Sequence, residues 1–183
     1  MLTPTDLRPL LTQHRAKQWL ARLSRCHKAA AWLVSRDDNP GPAWAEWKAG
    51  RPALLQLGRQ FDAIRLPATA TQEATDTAGR ESLEWALRDH GINSAVIVDS
   101  TRRWLYALVP PGTATHSTDG LEVLSRDTCL GVPPPHYSDG PGTYWLMAPP
   151  DSDDMLCDPA AIRALLKALE MAVPQGSISG REP

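Results

Sequence analysis

Apolar residues recur at spacings of three and four over the first 36 residues, Leu20, Leu23 and Leu33 among them, and this period predicts one long helix. The segment DDNPGP at 37–42 carries the turn-forming residues that end it. Basic side chains crowd the same helix. A run of charge most simply forms a solvated helix face, and a phosphate-binding surface is the alternative. The basic residues are Arg15, Lys17, Arg22, Arg25 and Lys28.

The next segment, AWAEWKAG at 43–50, is predicted to be a short helix or turn. Trp44 and Trp47 are three residues apart, which places them on one face of such a helix. Because an indole buries a large apolar area, we expect these two side chains to anchor the segment to the body of the domain.

Beyond residue 50 the apolar period changes to two, which predicts strands. PALLQLGR and FDAIRLP are two predicted strands joined around Gly58 and Arg59. Alternation along the second strand places Asp62 on the same face as Ile64 and Leu66. AVIVD and WLYALVP predict a hairpin turned by STR, and GLEVLS, TCLGV and TYWLMAP predict three further strands.

Two more helices are predicted, QEATDTAGRESLEWALRDHG with Gly91 as its C-terminal cap and DPAAIRALLKALEMAV with Asp158 as its N-cap. Helices segregated from a run of strands indicate an α+β fold, a mainly antiparallel sheet with helices packed on it. The length suits a single domain. We predict one globular domain over 1–173, its helical segment 1–36 packed on the α+β body, and a disordered tail over 174–183.

Composition excludes several classes of protein. The net charge of −2 provides no overall cationic field to collect nucleic acid, so any such contact must be local. The three cysteines, Cys26, Cys129 and Cys157, form no Cys-x-x-Cys pair, and we expect reduced thiols packed as small hydrophobes. With no signal peptide and no apolar run that could cross a bilayer, the sequence predicts a cytoplasmic protein without a membrane partner.

Motifs of known chemistry are absent from the sequence. It contains no P-loop, no GxGxxG after a strand, no HExxH and no GxSxG, and its histidines never pair at metal-ligand spacing. We therefore predict no metal site and no cofactor. The most distinctive stretch is GVPPPHYSDGPGTYWLMAPP at 131–150, a rigid loop between two strands. The simplest interpretation of His136 is a structural residue that hydrogen-bonds the loop backbone.

Three segments together, VIVDSTRRWLYALVPPGTA, LGVPPPHYSDGPGTYWLMAPPD and CDPAAIRALLKAL, resemble a group of small actinobacterial proteins. Through them the chain is similar to the N-terminal domain of bifunctional DNA primase/polymerases, the prim-pol fold. The resemblance covers roughly residues 50–170, a stretch whose length fits a single domain. It is carried by VPPPH and GTYW, and it implies a prim-pol-like scaffold on which His136 and Tyr144 contact a nucleotide or its phosphate.

Active members of that family place two carboxylates at alternate positions of one strand, where they hold two Mg²⁺-type ions on the nucleotide phosphates. In FDAIRLP the first carboxylate is Asp62, but Ile64 occupies the second position. DSTRRWLY replaces the family's Ser-Gly-Gly-x-His-like segment. Asp99 and Asp127 are the other candidate carboxylates. The resemblance therefore implies a degenerate active site.

The predicted function is a non-catalytic binding or regulatory domain whose ligand is a partner protein, a nucleotide or nucleic acid. We also expect a protein partner or a second copy of the chain. The alternative is an active, metal-dependent DNA primase/polymerase or nucleotidyl transferase in which Asp62, Asp99 and Asp127 converge on Mg²⁺ or Mn²⁺. A third hypothesis is a DNA-binding accessory that uses Arg102, Arg103 and the basic first helix.

Overall fold

The computed structural model describes residues 4–67, 80–116 and 121–172. The predicted first helix is α1 (Pro4–Leu33), and the tryptophan segment forms α2 (Gly41–Lys48). α1 packs on the body through its C-terminal end, where Ala30 and Leu33 are buried. Every side chain from Arg15 to Arg25 is exposed, so the apolar period of this helix does not produce a buried face along that part of its length.

The described strands form two sheets. Their bounds are β1 (Ala53–Gln56), β2 (Asp62–Pro67), β3 (Val96–Asp99), β4 (Trp104–Val109), β5 (Glu122–Leu124), β6 (Cys129–Val132) and β7 (Thr143–Trp145). β1 and β6 make a two-stranded sheet, and the other sheet has the order β5-β2-β4-β3-β7. Each of these pairs is antiparallel. The predicted α+β class with a mainly antiparallel sheet is therefore confirmed.

The predicted hairpin is confirmed, since β3 and β4 pair directly across the STRR turn. The two strands on either side of Gly58 also form, but they belong to different sheets rather than to one hairpin. Gly58 turns the chain between them at φ +86°, and its N–H donates to the carbonyl of Phe61 at 2.9 Å. A left-handed residue at this position sends β2 away from β1.

Two helices follow the predicted pattern, α3 (Arg80–Asp89) and α5 (Pro159–Ala172), and a single turn, α4 (Thr113–His116), lies between β4 and β5. Residues 72–79 of the predicted third helix lie outside the described residues. Gly91 ends α3 at φ +79° and donates to the carbonyl of Arg88 at 2.9 Å, as a glycine C-cap does. Asp158 caps α5, accepting the N–H of Ala160 at 2.8 Å.

One cluster of buried side chains joins both sheets with α1, α2, α3 and α5. α3 contributes Leu83 and Leu87 to it, and α5 contributes Ile162 and Leu165. The predicted tail lies outside the described residues. Within the residues that the structure describes, no helix combines the length and the apolar character needed to cross a membrane.

All three cysteines are free, and their exposure differs. Cys157 is buried and Cys26 is half-buried, but Cys129 is exposed, so the prediction that all three thiols are packed is wrong at Cys129. The reason lies in the small sheet. Cys129 is paired with Gln56, and both residues point to the outer face of the β1–β6 ribbon.

Candidate anion-binding site

Asp62, the first candidate carboxylate, is completely buried at the start of β2. One carboxylate oxygen accepts the hydroxyl of Ser125 at 2.6 Å, and the other accepts the backbone N–H of Ala114 at 3.4 Å. Asp62 therefore ties β2 to the chain that follows β4 and β5. Both of its oxygens are used by the fold itself.

The other two candidate carboxylates are turn residues. Asp99 ends β3, and its Oδ1 accepts the backbone N–H groups of Thr101 and Arg102, both at 3.1 Å. This arrangement is typical of an aspartate that shapes a tight turn. Asp127 is exposed and has a φ of +67°, a conformation that aspartate tolerates better than most side chains.

The structure does not bring these aspartates together. Asp62 is paired with Val109 at the end of β4, whereas Asp99 is paired with Trp104 at its beginning. The two positions are five residue steps apart along the strand, a distance of about 17 Å. In the described ranges no group of three or more His, Cys, Asp or Glu side chains is placed to hold a metal ion.

Arg102 and Arg103, two of the candidate binding residues, lie in the β3–β4 turn. Arg102 Nη1 donates to Asp99 Oδ2 at 2.8 Å, and this hydrogen bond raises the pKa of the Arg102 guanidinium. Arg103 is exposed and left-handed, with a φ of +59°. Both residues complete the turn, at the end of the sheet far from Asp62.

His136 follows three buried prolines in the proline loop, residues 133–142. Trp47 and Trp145 donate their indole N–H groups to carbonyl oxygens at the start of this loop. His136 is exposed, and its ring lies edge-on to that of Tyr137 with 4.8 Å between the centroids. The ring makes no hydrogen bond within the described part of the chain. The interpretation of His136 as a residue that hydrogen-bonds the loop backbone is therefore wrong.

A cavity of about 370 Å³ opens beside His136, between α1, α3, the proline loop and the segment that follows β7. We call it the arginine cavity, because four arginines line it against two carboxylates, Glu84 and Asp151. Arginine stays charged across the physiological pH range, so the lining is positive. The basic residues of the lining are Arg22, Arg25, Arg80, Arg88 and His136.

Arg80 holds the cavity wall together. Its Nε donates to Glu84 at 2.7 Å, and its guanidinium also donates to the backbone carbonyls of Ser138, Trp145 and Leu146. It lies 5.5 Å from the ring centre of Tyr144. Tyr144, the candidate binding residue of the GTYW segment, does not line the cavity. It contacts Arg80, which does. Arg80 therefore fastens the proline loop and β7 to α3.

The remaining arginines differ in the hydrogen bonds that they make within the fold. Arg88 donates to Glu84 at 3.1 Å, so one carboxylate fixes two arginines of α3. Arg22 makes a single 3.3 Å bond to the hydroxyl of Ser138. Arg25 makes no hydrogen bond or ion pair with any residue that the structure describes. Two guanidinium groups of α1 and the ring of His136 are thus available to a ligand.

The sequence predicts His136 as a binding candidate, places Arg22 and Arg25 in a basic run that is most simply a solvated helix face, and does not indicate Arg80 or Arg88. The spacing of Arg80, Glu84 and Arg88 places all three on one face of α3, and this spacing was the available signal. The cavity itself arises because α1 and α3, whose lining arginines are more than 50 residues apart in the chain, meet at the proline loop. That meeting depends on tertiary packing and leaves no local pattern.

Comparison with known proteins gives no match, neither to a family model nor to a curated protein or a solved structure. The resemblance to the prim-pol family therefore stays a prediction that rests on the sequence motifs alone.

Proposed function

We propose that the protein is a non-catalytic binding domain that holds a nucleotide in the arginine cavity. The observation that carries the proposal is the convergence of Arg22, Arg25 and His136 from two distant segments on one recess. Guanidinium groups bind phosphate through two parallel hydrogen bonds, which gives both affinity and orientation. A phosphate-bearing ligand fits this lining better than a neutral or cationic one.

The apolar part of the lining supports a nucleotide rather than inorganic phosphate. The apolar residues of the lining that keep exposed surface are Ala148, Pro149 and Met155. A volume of about 370 Å³ lies within the range of small-molecule sites. Such a cavity offers an apolar surface to a base while the arginines contact the phosphates.

The state of the candidate carboxylates supports a non-catalytic role. Two-metal phosphoryl transfer needs carboxylates that converge on the reacting phosphates. Asp62 and Asp99 lie at opposite ends of β4, and their oxygens accept hydrogen bonds from the fold. A protein partner or a second copy of the chain, expected from the sequence, stays a prediction.

Calorimetric titration with a nucleoside triphosphate, run in EDTA and again in Mg²⁺, tests the proposal. Binding without metal is expected, because arginines rather than a metal hold the phosphates. Arg25→Ala should weaken binding by about tenfold, as expected for the loss of one charge-assisted hydrogen bond. Since Arg25 has no partner among the described residues, this variant should unfold at the same temperature as the wild type.

Arg102→Ala is the matched control, because it removes an exposed arginine that lies outside the cavity. Unchanged binding is expected. If Arg102→Ala weakens binding and Arg25→Ala does not, the site lies at the β3–β4 turn and the proposal is wrong. If triphosphate binds only with Mg²⁺ or Mn²⁺, the metal-dependent enzyme is the better interpretation.

A further inference from the structure

We infer that the ligand of this site is a single-stranded nucleic acid, which runs from the arginine cavity along α1 and stacks a base on Trp19. The inference rests on the proposed function, because it extends the same site. It names the class of ligand and assigns a role to the exposed half of α1.

An open groove continues the arginine cavity along the helix. This α1 groove is an open recess of about 600 Å³ between side chains of α1 alone, and its lining includes Arg15, Trp19, Arg22 and Arg25. Arg22 and Arg25 also line the arginine cavity, so the two recesses share a wall. A chain-like ligand can therefore pass from one recess to the other without leaving the basic surface.

Helical spacing interleaves the aromatic and basic side chains of the groove. Trp19 is four residues from Arg15 and three from Arg22, so the three lie on one face of the helix. The side chain of Trp19 is 61 % exposed. A large indole that is exposed between arginines is the arrangement that single-strand binding proteins use, in which arginines follow the backbone and the ring stacks on a base.

The extent of this surface favours a polymer over a mononucleotide. Arg15 and Arg25 are ten residues apart, which is about 15 Å along the helix axis. One nucleotide in the cavity cannot also reach Arg15, whereas an oligonucleotide can. The stacking also favours a single strand, because the faces of duplex bases are already covered by their neighbours.

Two other occupants fit the surface less well. A second copy of α1 would be repelled, because residues 15–28 carry five basic side chains and no acidic one. A lipid bilayer is flat and would contact the exposed helix alone. Arg22 and Arg25 also face a recess bounded by α3 and the proline loop, which an extended chain can enter.

Fluorescence anisotropy with a labelled oligothymidine of about 12 nucleotides tests the inference. We expect the oligonucleotide to bind at least ten times more tightly than thymidine triphosphate, with an affinity that falls as salt rises. Trp19→Ala should weaken oligonucleotide binding by about tenfold and leave triphosphate binding unchanged. Trp19→Phe should keep most of the affinity, because an aromatic face remains.

Trp85→Ala is the matched control, since Trp85 is also exposed, at 68 %, but lines neither recess. If triphosphate binds but the oligonucleotide binds no more tightly, or if Trp19→Ala has no effect on it, the inference is wrong and the proposed function stands. Failure of both ligands to bind overturns both. Equal binding of duplex, equal competition by polyglutamate, or binding to anionic vesicles in place of the oligonucleotide would each also overturn the inference.

Discussion

Trp47 and Trp145 donate their indole N–H groups to consecutive carbonyl oxygens, Trp47 to Val132 at 2.9 Å and Trp145 to Pro133 at 3.2 Å. Trp47 belongs to α2 and Trp145 to β7. Prolines 133–135 have no N–H of their own, and their run is buried. The two tryptophans thus satisfy the carbonyls at the entrance to the proline loop and fix the direction in which the loop presents His136.

Trp47→Phe should lower the free energy of unfolding by about 1–3 kcal/mol, because the buried carbonyl of Val132 loses its donor. Trp44→Phe is the control. Trp44 lies edge-on to Trp47 and is partly exposed, so its substitution should cost less than about 0.5 kcal/mol. Urea denaturation of the three proteins measures both differences. Equal losses for the two variants would show that the ring, not the hydrogen bond, supplies the stability.

Asp62→Ala should destabilise the protein by about 2 kcal/mol, since Ser125 and Ala114 would lose a buried hydrogen-bond acceptor. Nucleotide binding should not change, because Asp62 does not line the arginine cavity. Asp127→Ala provides the comparison, as Asp127 is exposed. Thermal unfolding and calorimetric titration of each variant separate the two effects. Loss of nucleotide binding in a fully stable Asp62→Ala protein would support the metal-dependent enzyme instead.

The elements of this fold were largely predictable because their signals are local. The strand predicted over WLYALVP and the capping residue Asp158 each depend on neighbours in the sequence, and both are confirmed, although β4 is buried on both faces rather than at alternate positions. The pairing of β1 was not predictable in the same way. Its partner β6 lies more than 70 residues further along the chain, and the turn that leads from β1 to β2 in the other sheet contains Gly58 at a positive φ.

The candidate site was only partly predictable. His136 was a candidate because the prolines before it are conspicuous, whereas Arg22 and Arg25 were only two members of the basic run in α1. Nothing in the sequence indicated that Arg80 lies beside them, since its position depends on carbonyls of the proline loop and β7. The basic residues of α1 were more simply explained as a solvated face. Their convergence with α3 is a property of the packed molecule.

Gly58→Ala should be more destabilising than Gly91→Ala. Both glycines have a positive φ, +86° and +79°, which alone costs an alanine about 1 kcal/mol. A methyl group at Gly58 would also lie 2.9 Å from the backbone nitrogen of Arg126, whereas a methyl group at Gly91 meets nothing within 4 Å. The difference between the two variants in urea denaturation therefore measures the close approach alone. Equal losses of unfolding free energy in the two variants would show that the backbone at Arg126 shifts to make room for the methyl group.

Stability should fall at alkaline pH because of Cys157. Burial raises the pKa of its thiol to about 12 in the folded protein, while the unfolded chain ionises near about 8.5. A thiol whose pKa is raised by folding contributes its full stabilisation of the folded protein at pH values below the pKa of the unfolded chain. That contribution is lost as the pH rises from about 9 towards 12. The thiol should therefore contribute a loss of up to about 1.4 kcal/mol per pH unit over this range.

Urea denaturation at several pH values between about 8 and about 10.5 measures this loss, and substitutions isolate the thiol responsible. Cys157→Ala should unfold with a shallower pH dependence than the wild type, although it starts from a lower stability because a buried side chain is shortened. Cys129→Ala is the control, because its thiol is exposed. If the Cys157→Ala protein loses stability with pH as steeply as the wild type, the alkaline sensitivity comes from other groups.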